Sequence, residues 1–261
     1  MKLIIYQVDA FTDCVFKGNP AAVCPLKEWL PDDLLLKIAS ENNLSETAFY
    51  VPKGNKYEIR WFTPTVEVDL CGHATLAAAF VLFTQEDFNK DVIEFYSPRS
   101  GSLSVAVEES NFVLDFPADI SQEVTLSNEF KSLTNKIPIA VYKGRTDYML
   151  LFEKEEDILN LKPNLQLIKE IEARGIIVTA PGIQYDFVSR FFAPAVGVNE
   201  DPVCGSAHTT LTPFWAEKLK KKQLSAFQLS ERTGSIKCTL LKDRVKLSGQ
   251  AVLYLKGEIY V

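Results

Sequence analysis

The sequence lacks the features typical of secreted, membrane-bound and nucleic-acid-binding proteins. Its five cysteines show no paired spacing, which favours a reduced, intracellular protein over a disulfide scaffold. No apolar run approaches the roughly 20 residues that a membrane-spanning helix needs, and the N-terminal apolar run is too short for a signal peptide. The net charge is -6, from 28 basic and 34 acidic side chains, so nucleic acid is not an expected partner. These absences predict a soluble, cytoplasmic protein that binds neither membranes nor nucleic acid.

Sequence signatures of metals and nucleotide cofactors are also missing. Neither GxGxxG nor GxxxxGK[ST] occurs, so the sequence contains neither of these two common phosphate-binding loops. The chain has only two histidines, His73 and His208. Cys71 lies only two positions before His73, and the remaining candidates do not form a ligand cluster at zinc spacing. The sequence therefore predicts no metal and no cofactor, which leaves proton transfer by side chains.

The chain does contain an internal repeat. RWFTP at 60–64 recurs as RFFAP at 190–194, CGHA at 71–74 recurs as CGSA at 204–207, and SGSL at 100–103 recurs as TGSI at 233–236. The offset begins at 130 residues, rises to 133 and then stays constant. This pattern indicates one structural unit used twice, with a short insertion between 194 and 204.

The repeat predicts two domains, 1–117 and 118–251, with the last strand at 252–261 possibly joining the first domain. Residues 72–83 are apolar nearly all round, so we expect a helix that is buried on all sides and wrapped by strands. The fold class is therefore α+β, with each pseudo-symmetric domain a mixed, barrel-like sheet around one central helix.

Three local expectations follow from proline and glycine. Residues 117–138 have a proline at each end and are interpreted as a linker. Pro213 should kink or interrupt the second central helix, expected at 205–220. Lys256-Gly257 is expected to divide 251–261 into a pair of strands.

Each central helix begins directly after a cysteine, Cys71 or Cys204. The first N–H groups of a helix, here beginning at Gly72 and Gly205, can bind a carboxylate without a charged side chain. Two such helix ends facing one cleft between matched halves would hold an anionic substrate, and a cysteine there would have a lowered pKa. The alternative is that small residues at these positions only let helix and strand pack closely.

Three other residues could take part in proton transfer or substrate binding. Glu46 lies in an otherwise neutral strand, and inside a closed pocket it could shuttle protons; alternatively it points outward. His73 could bind a carboxylate or relay a proton, or simply bond to nearby backbone. Asp201 could cap the second helix or contact an amino group of a ligand. For His208, one turn inside that helix, we expect a packing role.

Six segments resemble the PhzF-type family of phenazine-biosynthesis-like proteins, in the same order along nearly the whole chain. They are VDAFTDCVFKGNPAAVC, NLSETAFYV, RWFTPTVEVDLCGHATLAAA, SPRSGSLSV, SRFFAPAVGVNEDPVCGSAHTTL and ERTGSIKC. The resemblance implies a two-domain fold like that of diaminopimelate epimerase, an isomerase that works without a cofactor, and a homodimer.

The resemblance also implies roles for individual residues. Glu46 of the SETAF segment corresponds to the family's acid/base. His73, next to Gly72, contacts the substrate, and Asp201 and Ser206 line the pocket. The substrate class is a small carboxylate-bearing metabolite.

The sequence leaves three functions open. The first is the isomerase that uses Glu46. The second is a racemase or epimerase, because Cys71 and Cys204 occupy positions that resemble the thiol pair of diaminopimelate epimerase and proline racemase. The third is a non-catalytic carboxylate-binding protein.

Overall fold

The computed structural model describes residues 1–86 and 88–261, which divide into two compact units. Unit 1 comprises Met1–Asp115 and Ser248–Val261, and unit 2 comprises Phe116–Leu247. The domain boundaries expected from the sequence were 117 and 251. Among the described residues, no helix combines the length and the apolar character needed to cross a membrane.

Unit 1 is built from nine strands and two helices within the described residues. They are β1 (Lys2–Ala10), β2 (Asn19–Pro25), α1 (Asp32–Asn42), β3 (Glu46–Lys53), β4 (Lys56–Phe62), β5 (Glu67–Val68), α2 (Gly72–Gln85), β6 (Val92–Ser97), β7 (Gly101–Glu108), β8 (Asn111–Pro117) and, at the end of the chain, β18 (Ala251–Tyr260).

Unit 2 contains the remaining elements. They are β9 (Gln122–Val124), α3 (Asn128–Lys131), β10 (Ala140–Lys143), β11 (Asp147–Leu151), α4 (Glu155–Leu159), α5 (Leu165–Glu170), β12 (Gly175–Pro181), β13 (Phe187–Ala193), a 3-10 turn (Pro194–Val196), β14 (Val198–Asp201), α6 (Gly205–Leu219), β15 (Gln223–Gln228), β16 (Gly234–Leu241) and β17 (Arg244–Gly249).

The strand pairings of unit 1 recur in unit 2. In unit 1, β2 and β3 are parallel, β3 and β4 are antiparallel, β4 also pairs in parallel with β6, and β6 is antiparallel to β7. In unit 2, the same four relationships join β11 to β12, β12 to β13, β13 to β15 and β15 to β16. The α+β fold class and the repeat predicted from the sequence are therefore confirmed.

Helix α2 is the centre of unit 1. It packs against β1, β2 and β3, and every residue from His73 to Ala79 is buried. Four alanines among its first eight residues have short side chains, which let the sheet approach the helix closely. The prediction of a helix buried nearly all round is confirmed, and the enclosure fixes where its first turn lies.

A bidentate arginine–glutamate pair occurs at the same place in both units. Arg60 binds Glu67 through Nε at 2.7 Å and Nη2 at 2.8 Å, and Arg190 binds Glu200 through the same atoms at 2.7 and 2.9 Å. Each guanidinium also lies about 5 Å from the ring of the phenylalanine two residues later in the sequence. The sequence repeat is therefore also a repeat of side-chain geometry.

Of the kink or interruption expected at Pro213 in the second central helix, the interruption is wrong. Helix α6 runs without a break from Gly205 to Leu219. Proline has no N–H to donate to the carbonyl four residues earlier, at Thr209. That carbonyl accepts instead from the backbone N–H of Asp119 at 3.1 Å, while the Asp119 carboxylate accepts from Thr210 at 2.8 Å. The neighbouring segment replaces the lost hydrogen bond.

The interpretation of 117–138 as a linker is also wrong. It contains β9, which pairs with β10, and the short helix α3. Phe130 and Leu133 belong to the buried core of unit 2. Apolar residues spaced three apart anchor this segment, although its two flanking prolines suggested an extended connection.

The last strand does not divide at Lys256-Gly257. β18 is continuous and pairs antiparallel with all of β1, with one register shift between Gln7 and Val8. Gly257 lies opposite Ile5 within the ladder. Lys256 and Gly257 pair in regular register with Tyr6 and Ile5, so the chain makes no turn there.

Gly175, the first residue of β12, lies where the packing of unit 2 leaves little space for a side chain. A Cβ there would lie 2.6 Å from Cζ of Phe191 and 2.7 Å from the carbonyl oxygen of Phe192. We expect Gly175→Ala to lower the free energy of unfolding by about 1–3 kcal/mol, because the backbone or the ring must move. Urea denaturation followed by circular dichroism measures the change.

The matched control is Gly257→Ala in β18, where the added Cβ would meet only Leu255 Cδ2 at 3.6 Å. That variant should change stability by less than about 0.5 kcal/mol. Equal stabilities of the two variants would contradict the close approach at Gly175.

Candidate active site

The N-terminus of α2 and the start of β3 bring four polar side chains together in unit 1. Glu46 is the first residue of β3, Cys71 precedes α2, and His73 is the second residue of α2. Nε2 of His73 lies 3.3 Å from Oε2 of Glu46, Sγ of Cys71 lies 3.4 Å from Nδ1 of His73, and Asn19 Nδ2 lies 3.2 Å from the same Nδ1. We call Asn19, Glu46, Cys71 and His73 the α2 cluster.

The hydrogen bond from Asn19 defines the tautomer of His73. An amide nitrogen can only donate, so Nδ1 carries a lone pair and the neutral ring carries its proton on Nε2. Burial lowers the pKa of His73 to about 3, so the imidazole is neutral at physiological pH. It therefore offers an N–H to its surroundings and not a positive charge.

The Nε2–H of His73 is available to a ligand. It faces Glu46 at 3.3 Å, yet this nitrogen is buried and has no hydrogen-bond partner among residues 1–86 and 88–261. A buried donor without a partner is costly in a packed core. Such a group at the first turn of a buried helix is typical of a site that receives a polar ligand.

The α2 cluster also groups three possible metal donors. Single ligand atoms of Glu46, Cys71 and His73 lie within 4.8 Å of one another. The expectation of no metal site considered only separation along the chain, which hides the contribution of Glu46 from β3. The thiol approaches Nδ1 while the carboxylate approaches Nε2, so the two groups face different nitrogens of the ring. This arrangement suits hydrogen bonding and proton transfer along the ring.

The sequence analysis missed Asn19. Asn19 is the first residue of β2 and is completely buried. A buried amide in front of an apolar strand was the available signal, because such a group needs a partner. Its pairing with His73, 54 residues away, required the tertiary structure.

In unit 2, the start of α6 assembles a different set of groups. Cys204 precedes α6, and Gly205 and Ser206 begin it. Cys204 Sγ lies 3.3 Å from Ser206 Oγ. Gln228 accepts from the Cys204 backbone N–H at 3.0 Å and donates to the Asp201 carbonyl at 2.6 Å, which ties the end of β14 to the helix start. Asp201 is the last residue of β14.

Arg174 was also missed by the sequence analysis. Its guanidinium donates to both carboxylate oxygens of Asp147, through Nε at 2.9 Å and through Nη2, and its Nη1 donates to Ser206 Oγ at 2.8 Å. Asp147 is 2% exposed, whereas the side chain of Arg174 is 35% exposed. We call Asp147, Arg174, Asp201, Cys204 and Ser206 the α6 cluster.

The expectation of a lowered cysteine pKa at a helix start is wrong for Cys204. Cys204 is 4% exposed, and the pKa of its thiol is raised, first by desolvation and then by the negative charge of Asp201. Arg174, the Ser206 hydroxyl and the backbone N–H of Ala207 act in the opposite direction. Burial is the larger effect, so Cys204 is a neutral thiol at physiological pH.

The model of the family described as phenazine biosynthesis-like protein, PhzC-PhzF, matches residues 8–257. The chain belongs to the PhzF family. It is 48% identical to the "Uncharacterized isomerase PA2770" of Pseudomonas aeruginosa over 261 residues, covering all of both chains. The crystal structure of a PhzF-family phenazine biosynthesis protein from Enterococcus faecalis shares 45% identity, with a TM-score of 0.98 over all of both chains.

A more distant structure shares the fold of this PhzF-family chain. A hydroxyproline epimerase from Agrobacterium vitis has a TM-score of 0.63 at 7% identity, covering 99% of this chain and 92% of that one. The epimerase-like fold predicted from the resemblance is therefore confirmed. The protein is an enzyme of the isomerase or epimerase type, which confirms the predicted enzyme class.

His208 lies inside this part of unit 2 as a buried, neutral histidine. Its Nδ1 lies 2.7 Å from the carbonyl oxygen of Cys204, so Nδ1 donates there. Its ring packs beside Phe187, with centroids 5.9 Å apart. Burial lowers its pKa to about 4, partly opposed by the Cys204 carbonyl.

The pKa of His208 predicts a pH dependence of stability. Below about pH 6.5 His208 binds a proton in the unfolded chain. In the folded chain it binds this proton only near pH 4. The contribution to stability is therefore complete above pH 6.5 and is lost as the pH falls towards 4. We expect the slope of unfolding free energy against pH to decrease by about 1.4 kcal/mol per pH unit in His208→Asn, between about pH 4.5 and 6.

Asparagine retains a donor for the Cys204 carbonyl, and urea denaturation across this pH range measures both slopes. The two proteins should share one slope above pH 7. Identical slopes below pH 6 would mean that His208 has the same pKa in the folded and unfolded chains.

Proposed function

We propose that the protein is a cofactor-independent isomerase in which Glu46 transfers a proton between two positions of a small carboxylate-bearing molecule. The observation that carries the proposal is the α2 cluster, where a carboxylate that is 15% exposed lies beside a buried, neutral N–H donor. A base and a hydrogen-bond donor side by side are what proton transfer next to an electron-withdrawing group requires.

The proposed reaction conserves all atoms. The carboxylate of Glu46 accepts a proton from a carbon of the substrate, and the electrons of the broken C–H bond move into the adjacent unsaturated system. His73 donates its Nε2–H to the substrate atom on which negative charge develops. Glu46, now a carboxylic acid, returns the proton to another carbon of the same molecule.

The repeat supports Glu46 over the cysteines as the base. The repeat places Phe62 opposite Thr47 and Phe192 opposite Ile176, so Gly175 is the position of β12 that corresponds to Glu46, and unit 2 has no carboxylate there. The pKa of Cys204 is raised, which keeps the thiol protonated and a poor base. A thiol pair, in contrast, requires one cysteine to be a thiolate in each direction of the reaction.

The second candidate is a racemase or epimerase that uses Cys71 and Cys204. One observation favours it: each of these cysteines immediately precedes the central helix of its unit. The third candidate, a non-catalytic carboxylate-binding protein, would use the helix ends and His73 without proton transfer. Four further features stay predictions: a small substrate, a cleft that accepts it, a homodimer and a cytoplasmic location.

Solvent deuterium incorporation separates the three candidates. The protein is incubated in D2O with amino acids, hydroxy acids and cyclic amino-carboxylates, and the compounds are analysed by mass spectrometry. We expect exchange in at least one compound and expect Glu46→Gln to reduce it about 10³-fold, because the amide cannot accept the proton. Cys71→Ala and Cys204→Ala should each keep activity within about tenfold.

The opposite result, with activity lost in both cysteine variants and kept in Glu46→Gln, would replace the proposal with the thiol mechanism. Exchange in no compound would favour the binding protein. Circular dichroism of each variant controls for loss of fold.

Asn19 provides a test of the His73 tautomer. Asn19→Asp replaces the Nδ2 donor with an acceptor, which favours a proton on Nδ1 and raises the pKa of His73. We expect deuterium exchange to fall on the order of 10²-fold. The ¹⁵N chemical shifts of the two ring nitrogens report the change of tautomer directly.

The matched control is Asn42→Asp, whose amide donates to Thr47 Oγ1 at 3.1 Å in the same unit. It should leave both the His73 shifts and the exchange rate unchanged. Unaltered ¹⁵N shifts in Asn19→Asp would show that Asn19 does not determine the tautomer.

A further inference from the structure

The register of the strands identifies which residue of unit 2 occupies the position of Glu46. In unit 1, Phe62 of the RWFTP segment lies opposite Thr47, the residue after Glu46. In unit 2, the corresponding Phe192 of RFFAP lies opposite Ile176, the residue after Gly175. Glu46 and Gly175 are thus equivalent, and each is the first residue of its strand.

Unit 2 has no room for a side chain at this position. A Cβ on Gly175 would lie 2.6 Å from Cζ of Phe191. The preceding residue, Arg174, instead places its guanidinium 5.1 Å from the centroid of the Phe191 ring. Where unit 1 has a carboxylate beside His73, unit 2 therefore has a cation beside Ser206, the residue that corresponds to His73 in the repeat.

The guanidinium of Arg174 is held in one orientation. The buried carboxylate of Asp147 binds its Nε and Nη2, and Ser206 Oγ accepts from Nη1. These contacts occupy three of the five N–H groups of an arginine side chain. One N–H on each of the two terminal nitrogens has no partner among the described residues.

These two N–H groups suit a carboxylate. Two parallel N–H groups of an arginine bind the two oxygens of a carboxylate with matched geometry, which a lysine cannot do. Asp147 offsets the charge of Arg174, and the carboxylate of Asp201 adds a negative charge nearby. The cluster therefore selects a ligand by geometry at Arg174 and does not attract anions through a large positive field.

We propose that Arg174 receives a small carboxylate at the α6 cluster and that Asp147 orients Arg174 for this contact. A small carboxylate agrees with the carboxylate-bearing substrate of the proposed function. Only the step that equates the bound carboxylate with that of the substrate rests on the proposed function. Binding of a carboxylate at Arg174 is testable without any turnover.

Alkylation of Cys204 is the test, because Sγ of Cys204 and Nη1 of Arg174 both lie within 3.3 Å of Ser206 Oγ. Iodoacetate and iodoacetamide form the same S–C bond and release iodide, but only iodoacetate carries a carboxylate. The ratio of their rate constants at one thiol does not depend on the thiolate fraction. Peptide mass spectrometry follows Cys204, with the exposed Cys14 as an internal reference in every sample.

We expect iodoacetate to be favoured at Cys204 relative to Cys14 by about tenfold in the unaltered protein. Arg174→Met should abolish this preference, and Arg174→Lys should retain part of it. Lys131→Met, which removes an exposed positive charge from α3 in the same unit, is the matched control and should leave the preference unchanged.

Arg174→Met leaves Asp147 buried without its partner, so it could fail to fold. The double variant Asp147→Asn, Arg174→Met removes both charges and keeps the net charge of the pair at zero. It should also lose the preference. An unchanged preference in either variant would overturn the proposal. If the buried thiol resists both reagents, titration calorimetry of the protein with acetate is the readout, and equal binding by the unaltered protein and Arg174→Met would overturn the proposal.

Glu46→Gln separates this proposal from the proposed function. The preference for iodoacetate at Cys204 should persist in Glu46→Gln, because the α6 cluster does not contain Glu46. A preference that persists while no compound exchanges deuterium would support the carboxylate site and count against the isomerase. If Arg174→Met loses the preference for iodoacetate at Cys204 but keeps its turnover, the carboxylate bound at Arg174 does not belong to the substrate.

Discussion

The enclosure of α2 by the strands of unit 1 determines the chemistry that its first turn can support. A helix with apolar residues on nearly every face is stable only when strands cover it on all sides. Its N-terminal N–H groups and His73 are consequently held against the ends of β2 and β3. The parallel pairing of these two strands places Ala21 opposite Glu46, and the carboxylate of Glu46 lies 3.3 Å from Nε2 of His73.

Desolvation then decides the charge state of each group in the two clusters. His73 is 5% exposed, and burial disfavours its cationic form, so it remains a neutral donor. The hydrogen bond from Asn19 determines which ring nitrogen carries the proton. The same effect keeps the thiol of Cys204 protonated, although it lies at a helix start and near an arginine. Burial therefore opposes the thiolate chemistry that the position of this cysteine along the chain suggests.

The two units share their scaffold but differ in the side chains that could take part in chemistry. The arginine–glutamate pairs have nearly the same lengths in both units, and four strand relationships recur. At the first turn of the central helix the units differ, with His73 in one and Ser206 in the other. At the start of the preceding parallel strand they differ again, with Glu46 in one and Gly175 in the other. One fold thus supports a proton-transfer group in unit 1 and an arginine in unit 2.

The sequence by itself determined the repeat, the fold class, the buried central helices and the candidates Glu46 and His73, because periodicity and motif order are properties of the chain. The tertiary structure alone decided the partners of these residues. Asn19 reaches His73 across 54 positions and Arg174 reaches Ser206 across 32. Pro213 stays helical because Asp119 supplies the missing N–H. A hydrogen bond between distant segments depends on which strands pair and in which register, and no local pattern contains that information.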